Sequence, residues 1–282
     1  MLLLLLYKLK KWVDINKLNW FWLSRNIDAI QLLKQNLDKI DWGSLSRNSN
    51  AISILEQHQD KIVWISLSRN PNAIHLLEQN LDKIDWYWLT SNPKAIHLIE
   101  QNLDKIDDWY WLSENPNAIH LLEKYPDKIN WLNLSRNPKA IHLLEQHPDK
   151  IDWYWLSSNP NAIHLIEQNL DKIDDWYWLS SNPNAIHLLE QNLDKIDWYC
   201  LSENPNAIHL LEKHPDKINW IGLSQNPNAS RLLEQNQDKI EWNVVSENSC
   251  IFEIDYTVED LSSHENLKSV KSIVVLTASL RL

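Results

Sequence analysis

Glycine is nearly missing from this chain: Gly43 and Gly222 are the only two in 282 residues. That scarcity excludes a Gly-rich phosphate cradle of the P-loop or dinucleotide type, in which the backbone must approach the phosphate closely. Cysteine is as scarce. Cys200 and Cys250 lie in different parts of the chain and match no metal-ligand spacing. Without a disulfide framework, a reducing intracellular compartment is expected. Positive charge is in deficit, with 27 Lys and Arg against 38 Asp and Glu and a net charge of −11. Nucleic-acid binders draw affinity from neutralised phosphates, so this balance argues against nucleic acid and against anionic membrane surfaces. Long apolar runs are lacking too. Leu2 to Leu6 is too short for a signal-peptide core, its lysines follow the leucines, and no small-residue cleavage site comes after. A spanning helix needs about 20 apolar residues, so no membrane partner is expected.

What the chain has in excess is tryptophan, 17 in all, and repetition. Trp recurs at 20, 42, 64, 86, 109, 131, 153, 176, 198, 220 and 242. The step is 22 residues except for two steps of 23, which carry the doubled acids Asp107-Asp108 and Asp174-Asp175. The segments starting at Trp86 and Trp153 share WYWL, an LIE variant and the doubled Asp, as a duplicated three-unit block would. A period of this length marks a solenoid rather than a domain with one central core.

The unit at Trp153 reads WYWLSSNPNAIHLIEQNLDKID. Asn159-Pro160 is a helix-start signal, Asn as cap and Pro at the first helical position. Ala162, Ile163, Leu165 and Ile166 then form an apolar face at helical spacing. A second start of the same kind stands at His147-Pro148, so the unit reads as two capped halves of eleven residues. Helices this short are unstable alone and depend on burial between neighbours. The expected fold is all-α: an elongated α-solenoid of about ten 22-residue two-helix repeats with degenerate end caps. A leucine-rich repeat also fits the period, but WYWLSSN lacks strand alternation. The organisation expected is a half-repeat cap over 1–19, ten repeats over 20–241, a degenerate cap over 242–256 and a non-repeating tail over 257–282. SIVVLTASL in that tail is apolar and β-prone, and its role stays open. In such an array a central repeat can be deleted in register, whereas loss of either end exposes apolar surface.

The unit LSxNPNAIHLLEQNxDKIxW, with the ending from Asn248 to Tyr256, resembles uncharacterised tandem-repeat proteins of giant amoeba-infecting DNA viruses. The resemblance covers residues 20–256. It implies a binding array set in host cytoplasm or virion, and it carries no catalytic residues over to this chain.

Ten copies in one chain make internal variation visible. The first Trp, the Leu three residues on (Leu89, Leu156), the Ile of DKI (Ile84, Ile151), the Asn, and the hydroxyl two before it (Thr90, Ser157) read as architectural. The hydroxyl and Asn are placed to satisfy helix-end backbone groups. Three positions vary instead: the two after the first Trp, and the one three residues further on. In the central repeats these are Tyr87, Trp88, Ser91, Tyr110, Trp111, Glu114, Asn133, Arg136, Tyr154, Trp155, Ser158, Tyr177, Trp178 and Ser181. At i, i+1 and i+4 they share a helix face. No fixed core volume accepts Trp, Asn and Gly alike, so an open strip is expected, with the composition of a protein-binding hot spot. Lateral packing of the Trp residues with only their edges exposed is the other arrangement.

Seven histidines, from His75 to His209, each precede a Glu by three residues. A metal site needs three or four converging ligands, and evenly spaced pairs do not converge, so local His–Glu pairs on a solvated stripe are expected. Ser, His and Asp occur at repeat frequency, and none is singled out as nucleophile or base. The reading is a non-enzymatic scaffold for a protein partner, with no cofactor, no metal and no catalytic residue. A structural or self-assembling protein and a carbohydrate binder using Trp and Tyr platforms are the alternatives.

Overall fold

The computed structural model describes residues 7–255, and the fold is an all-α repeat solenoid. Leu2 to Leu6 and the tail over 257–282 lie outside the described residues. Each unit contains three short helical pieces. In the unit at Trp131 these are a first helix Trp131–Arg136, a second helix Ile141–Gln146 and a 3₁₀ turn Pro148–Lys150. The division into two eleven-residue halves is therefore corrected.

The reason lies in the Asn of the Asn-Pro step, which ends the first helix instead of opening the second. Asn137 sits extended at φ −74°, ψ 115°, a backbone that a following proline favours. Asn26 and Asn48, which Ile27 and Ser49 follow, adopt it too, so the buried Asn is what sets it. The second helix starts four residues later at Ile141, behind Ala140, with no side-chain cap. The true cap is the acid or amide preceding the first Trp. The Asn130 side chain accepts from the Asn133 N–H at 3.1 Å, and Asp152 accepts from the Trp155 N–H at 3.0 Å. Inside, each unit stacks the same residues: Leu134, Ala140 and Leu144 of this unit are fully buried, with Leu143 beside them.

Two ladders tie unit to unit. The Asn137 Nδ2 donates to the carbonyls of Ser113 and Asn115 in the preceding unit, both at 3.0 Å, while its Oδ1 accepts from the Lys139 N–H at 3.0 Å. Ser135 Oγ donates to the Trp131 carbonyl at 2.9 Å and accepts from the Asp152 N–H of the next unit at 3.0 Å. A buried amide and hydroxyl thus answer backbone groups on two successive units, as buried polar atoms must.

The array does not run on as an elongated rod: it closes. The Ser246 hydroxyl accepts from the Asn19 N–H at 2.9 Å, and the Ser246 carbonyl accepts from Asn26 Nδ2 at 3.1 Å. These are the ladder bonds of any adjacent pair, made here between the last unit and the first. Lys17 lies 5.0 Å from the Trp242 ring, as Lys39 lies 4.8 Å from Trp20. The two degenerate ends belong to one composite eleventh unit. The C-terminal side supplies its first helix, Trp242–Val245, and the N-terminal side supplies its 3₁₀ turn, Ile15–Lys17. In place of a second helix stands an antiparallel two-stranded sheet. Strand β1 (Tyr7–Leu9) meets β2 (Phe252–Ile254), with Tyr7 opposite Ile254 and Leu9 opposite Phe252. Lys10 N–H donates to the Ile251 carbonyl at 2.9 Å, and Lys8 pairs with Asp255 at 3.2 Å.

At most junctions the first helices of successive units pack closely on one another, whereas the second helices do not. In a closed ring the closer-packed layer is the inner one, so the first helices surround the opening and the second helices form the rim. Eleven helices at about 8–10 Å between axes make a circle about 30 Å across. Subtracting side-chain-clad helix radii leaves an opening of about 20 Å.

Candidate binding surface

The inner face is built from the three variable positions, but they are not equally open. The residue after the first Trp projects furthest. Tyr87 and Tyr154 are exposed, as are Phe21, Ile65, Leu132 and Ile221 in other units, while Tyr110 and Tyr177 are half-buried. Of the ten exposed large apolar side chains among the described residues, six fall at this one position. Solvent exposure of large apolar groups is therefore concentrated on the inner circle.

The next position differs from the expectation. Trp88, Trp111, Trp155 and Trp178 are half-buried, no more open than most of the unvarying Trp residues. Trp88 packs on Trp111 with ring centroids 5.4 Å apart, and Trp155 on Trp178 at 5.2 Å. Asn133, placed in the strip from the sequence, is fully buried, and its Nδ2 donates to the Tyr110 carbonyl at 2.9 Å. Cys200 and Gly222 occupy the same place and are buried as well.

Trp and Gly can alternate there because the space between helices is not constant. The first helices close up most tightly where Cys200 meets Gly222, and stand further apart where Trp meets Trp and also where Ser66 meets Trp88 and Val244 meets Trp22. The two 23-residue units fall at the two Trp–Trp junctions. There the ladder bond from the next unit's backbone N–H to the Ser or Thr hydroxyl, present at the other junctions, is absent among the described residues. The extra Asp lengthens the connection across the wider gap. Asp108 and Asp175 then cap the shifted helices at the Tyr110 and Tyr177 N–H groups, both at 2.9 Å.

This geometry sets an expected contrast between the two glycines. A Cβ on Gly222 would stand 2.5 Å from the Tyr199 carbonyl oxygen, whereas one on Gly43 meets only the Asp41 carboxylate at 3.4 Å. Gly222→Ala should destabilise by about 1–3 kcal/mol through overpacking. Gly43→Ala should be neutral or stabilising by up to about 1 kcal/mol through helix propensity. Urea titration of both variants checks this, and equal effects would contradict the close approach.

The third position supplies polar groups. Ser91, Ser158 and Ser181 turn back to the carbonyls of Trp88, Trp155 and Trp178 at 2.7–2.9 Å, closing their own helices. Glu114 lies 3.5 Å from Arg136. Burial raises the Glu114 carboxyl above its usual range, against the pull of Arg136 and Arg69. Burial likewise raises Glu203, which Tyr199 and Gln225 oppose by hydrogen bonding. Arg25, Arg47 and Arg69 stand at this position in three consecutive units, a run visible in the sequence yet left out of the expected strip.

The histidines pair differently from the local expectation. His75 Nε2 meets Glu56 of the preceding unit at 2.9 Å, His97 meets Glu78 at 2.8 Å, and the series continues to His209 and Glu190 at 3.1 Å. The ladder runs between units along the second helices. Among the described residues no three His, Cys, Asp or Glu converge on a common point, and no helix is long and apolar enough to cross a membrane. Both cysteines are buried, and burial pushes each thiol up to about 12.

No protein-family model, no curated protein and no solved structure matches this chain.

Proposed function

We propose that the ring is a non-enzymatic scaffold that encloses a segment of a protein partner and grips it with the inner circle of large side chains. The observation that carries this reading is the gathering of six of the ten exposed large apolar side chains at one repeat position. Aromatic groups held by a rigid backbone bury much area at little entropic cost. An opening of about 20 Å admits an extended chain or a single helix about 10–12 Å thick. The half-buried Trp88, Trp111, Trp155 and Trp178 pack on one another in tilted pairs instead of lying open as platforms for a sugar, which favours a protein partner over a carbohydrate. The net charge of −11 weighs against nucleic acid. An intracellular setting fits the two free thiols, and likeness to viral repeat units makes host-cell proteins the first partners to try.

The test is selection of 12-residue peptides from a display library on the intact ring. Peptides rich in large apolar residues are expected. The double variant Tyr87→Ser, Tyr154→Ser should weaken their binding about tenfold or more, the scale of a hot-spot residue, with little change in melting temperature. Selected peptides that bind this variant as well as the parent would refute the reading.

A further inference from the structure

The arginines of the inner face are not equally neutralised. Arg25 pairs with Glu247 at 3.2 Å, and Arg136 with Glu114 at 3.5 Å. Arg47 and Arg69, in adjacent units between those pairs, have no carboxylate within ion-pair distance among the described residues. Burial first, then neighbouring arginine charge, depresses both below the usual guanidinium range. They face one cavity of about 300 Å³, walled also by Ser91, Trp111 and Glu114. The Arg69 guanidinium lies 4.2 Å from the Trp88 ring and 5.9 Å from Trp111. A stacked guanidinium uses its flat face and keeps its N–H edges for an acceptor.

Resting on the reading of the inner face as a protein-binding surface, we propose that this cavity is a subsite for one acidic side chain of the enclosed segment. Two unneutralised guanidiniums in a walled recess repel each other, and a carboxylate between them removes that repulsion while accepting from both forks. Glu114 also walls the cavity, one carboxyl oxygen 3.5 Å from Arg136 and the other without a partner, and it disfavours negative charge beyond the one carboxylate that the two arginines offset. That limits the site to a single carboxylate and turns away polyanions. Ile65 and Tyr87, exposed beside it in the units of Arg69 and Ser91, call for large apolar residues flanking the acid. The recognised element is Asp or Glu within an apolar stretch.

The experiment compares two fluorescein-labelled peptides on the full chain, one carrying a single Glu among Leu and Phe residues, the other Gln at that place. The Glu peptide should bind about tenfold tighter at low salt, the advantage shrinking as salt screens the pair. Arg47→Gln and Arg69→Met should each erase most of this preference; methionine retains an unbranched stem over Trp88. Arg231→Gln on the rim should leave it intact. Persistence of the preference in both inner variants would overturn the subsite while leaving the apolar grip standing. Loss of both peptides on Tyr87→Ser, Tyr154→Ser, with the parent showing no preference for Glu, would do the same. Failure of both peptides to bind the parent would overturn both proposals. Tighter binding of inorganic phosphate or of a single-stranded oligonucleotide to the same arginines would overturn the assignment to an acidic side chain.

Discussion

Removal of residues 1–9 should shift the ring strongly towards opening and leave the rest of the solenoid folded, although the Asn19 and Asn26 bonds to Ser246 remain. The truncation takes away β1 and with it three cross-strand pairs and the Lys8–Asp255 ion pair. Cross-strand pairs contribute about 0.2–1 kcal/mol each, and a backbone hydrogen bond about 1 kcal/mol net. The loss is then about 3–5 kcal/mol, about two to nearly four powers of ten in the opening equilibrium. Cys250, buried in the composite unit next to Ile251, reports it. In the intact chain its thiol is neutral at pH 8, since burial holds it near 12, and it should react slowly with a thiol reagent. In the truncated chain its labelling should accelerate about a hundredfold or more, while Cys200, in the body of the ring, keeps its slow rate. Equal rates for Cys250 in both chains would show that the sheet does not hold the ring shut.

Asn137→Ala should be the most damaging single substitution that removes no apolar volume. It deletes two donors to the Ser113 and Asn115 carbonyls and one acceptor for the Lys139 N–H, all around a residue with no solvent exposure. Buried groups left unsatisfied cost about 1–3 kcal/mol each, partly relieved by relaxation, so about 3–5 kcal/mol is expected in all. For a chain of this size that corresponds to a melting temperature lower by about 10 °C. Asn161→Ala is the control. Its Nδ2 donates to the Pro138 carbonyl at 2.9 Å from an exposed position, and its loss should cost under about 1 kcal/mol. Comparable melting temperatures for the two variants would contradict the ladder.

The period, the apolar face of the second helix and the helical nature of both main pieces were legible because each rests on local spacing. The direction in which Asn-Pro acts was not, since the dipeptide can stop one helix or start another. Only the extended backbone of Asn137 and its bonds to the preceding unit decide it. The openness of the Trp positions was misjudged on the assumption that all junctions share one volume, whereas the first helices adjust their separation to Trp or Gly. The run Arg25, Arg47, Arg69 was visible, but its lack of counter-charge depends on which acids reach it. Closure had a signal. Lys17-Leu18-Asn19-Trp20 matches Lys217-Ile218-Asn219-Trp220, so the repeat pattern sets in late in a unit, and after Asn248 it breaks off early in one. The two fragments are complementary.

A closed ring also counts its own units. An open array gains or loses copies freely, because each junction keeps its angle whatever the total. Here eleven units must share one full turn, about 33° apiece, and the excision of one would demand about 36° from every remaining junction. The in-register deletion that an open solenoid tolerates should therefore strain this chain throughout. Gene duplication faces the same arithmetic: copying the three-unit block that begins at Trp86 or Trp153 alters the total, and the product survives as a ring only at a number its junctions can close. Copy number in such a lineage should change in jumps between permitted values.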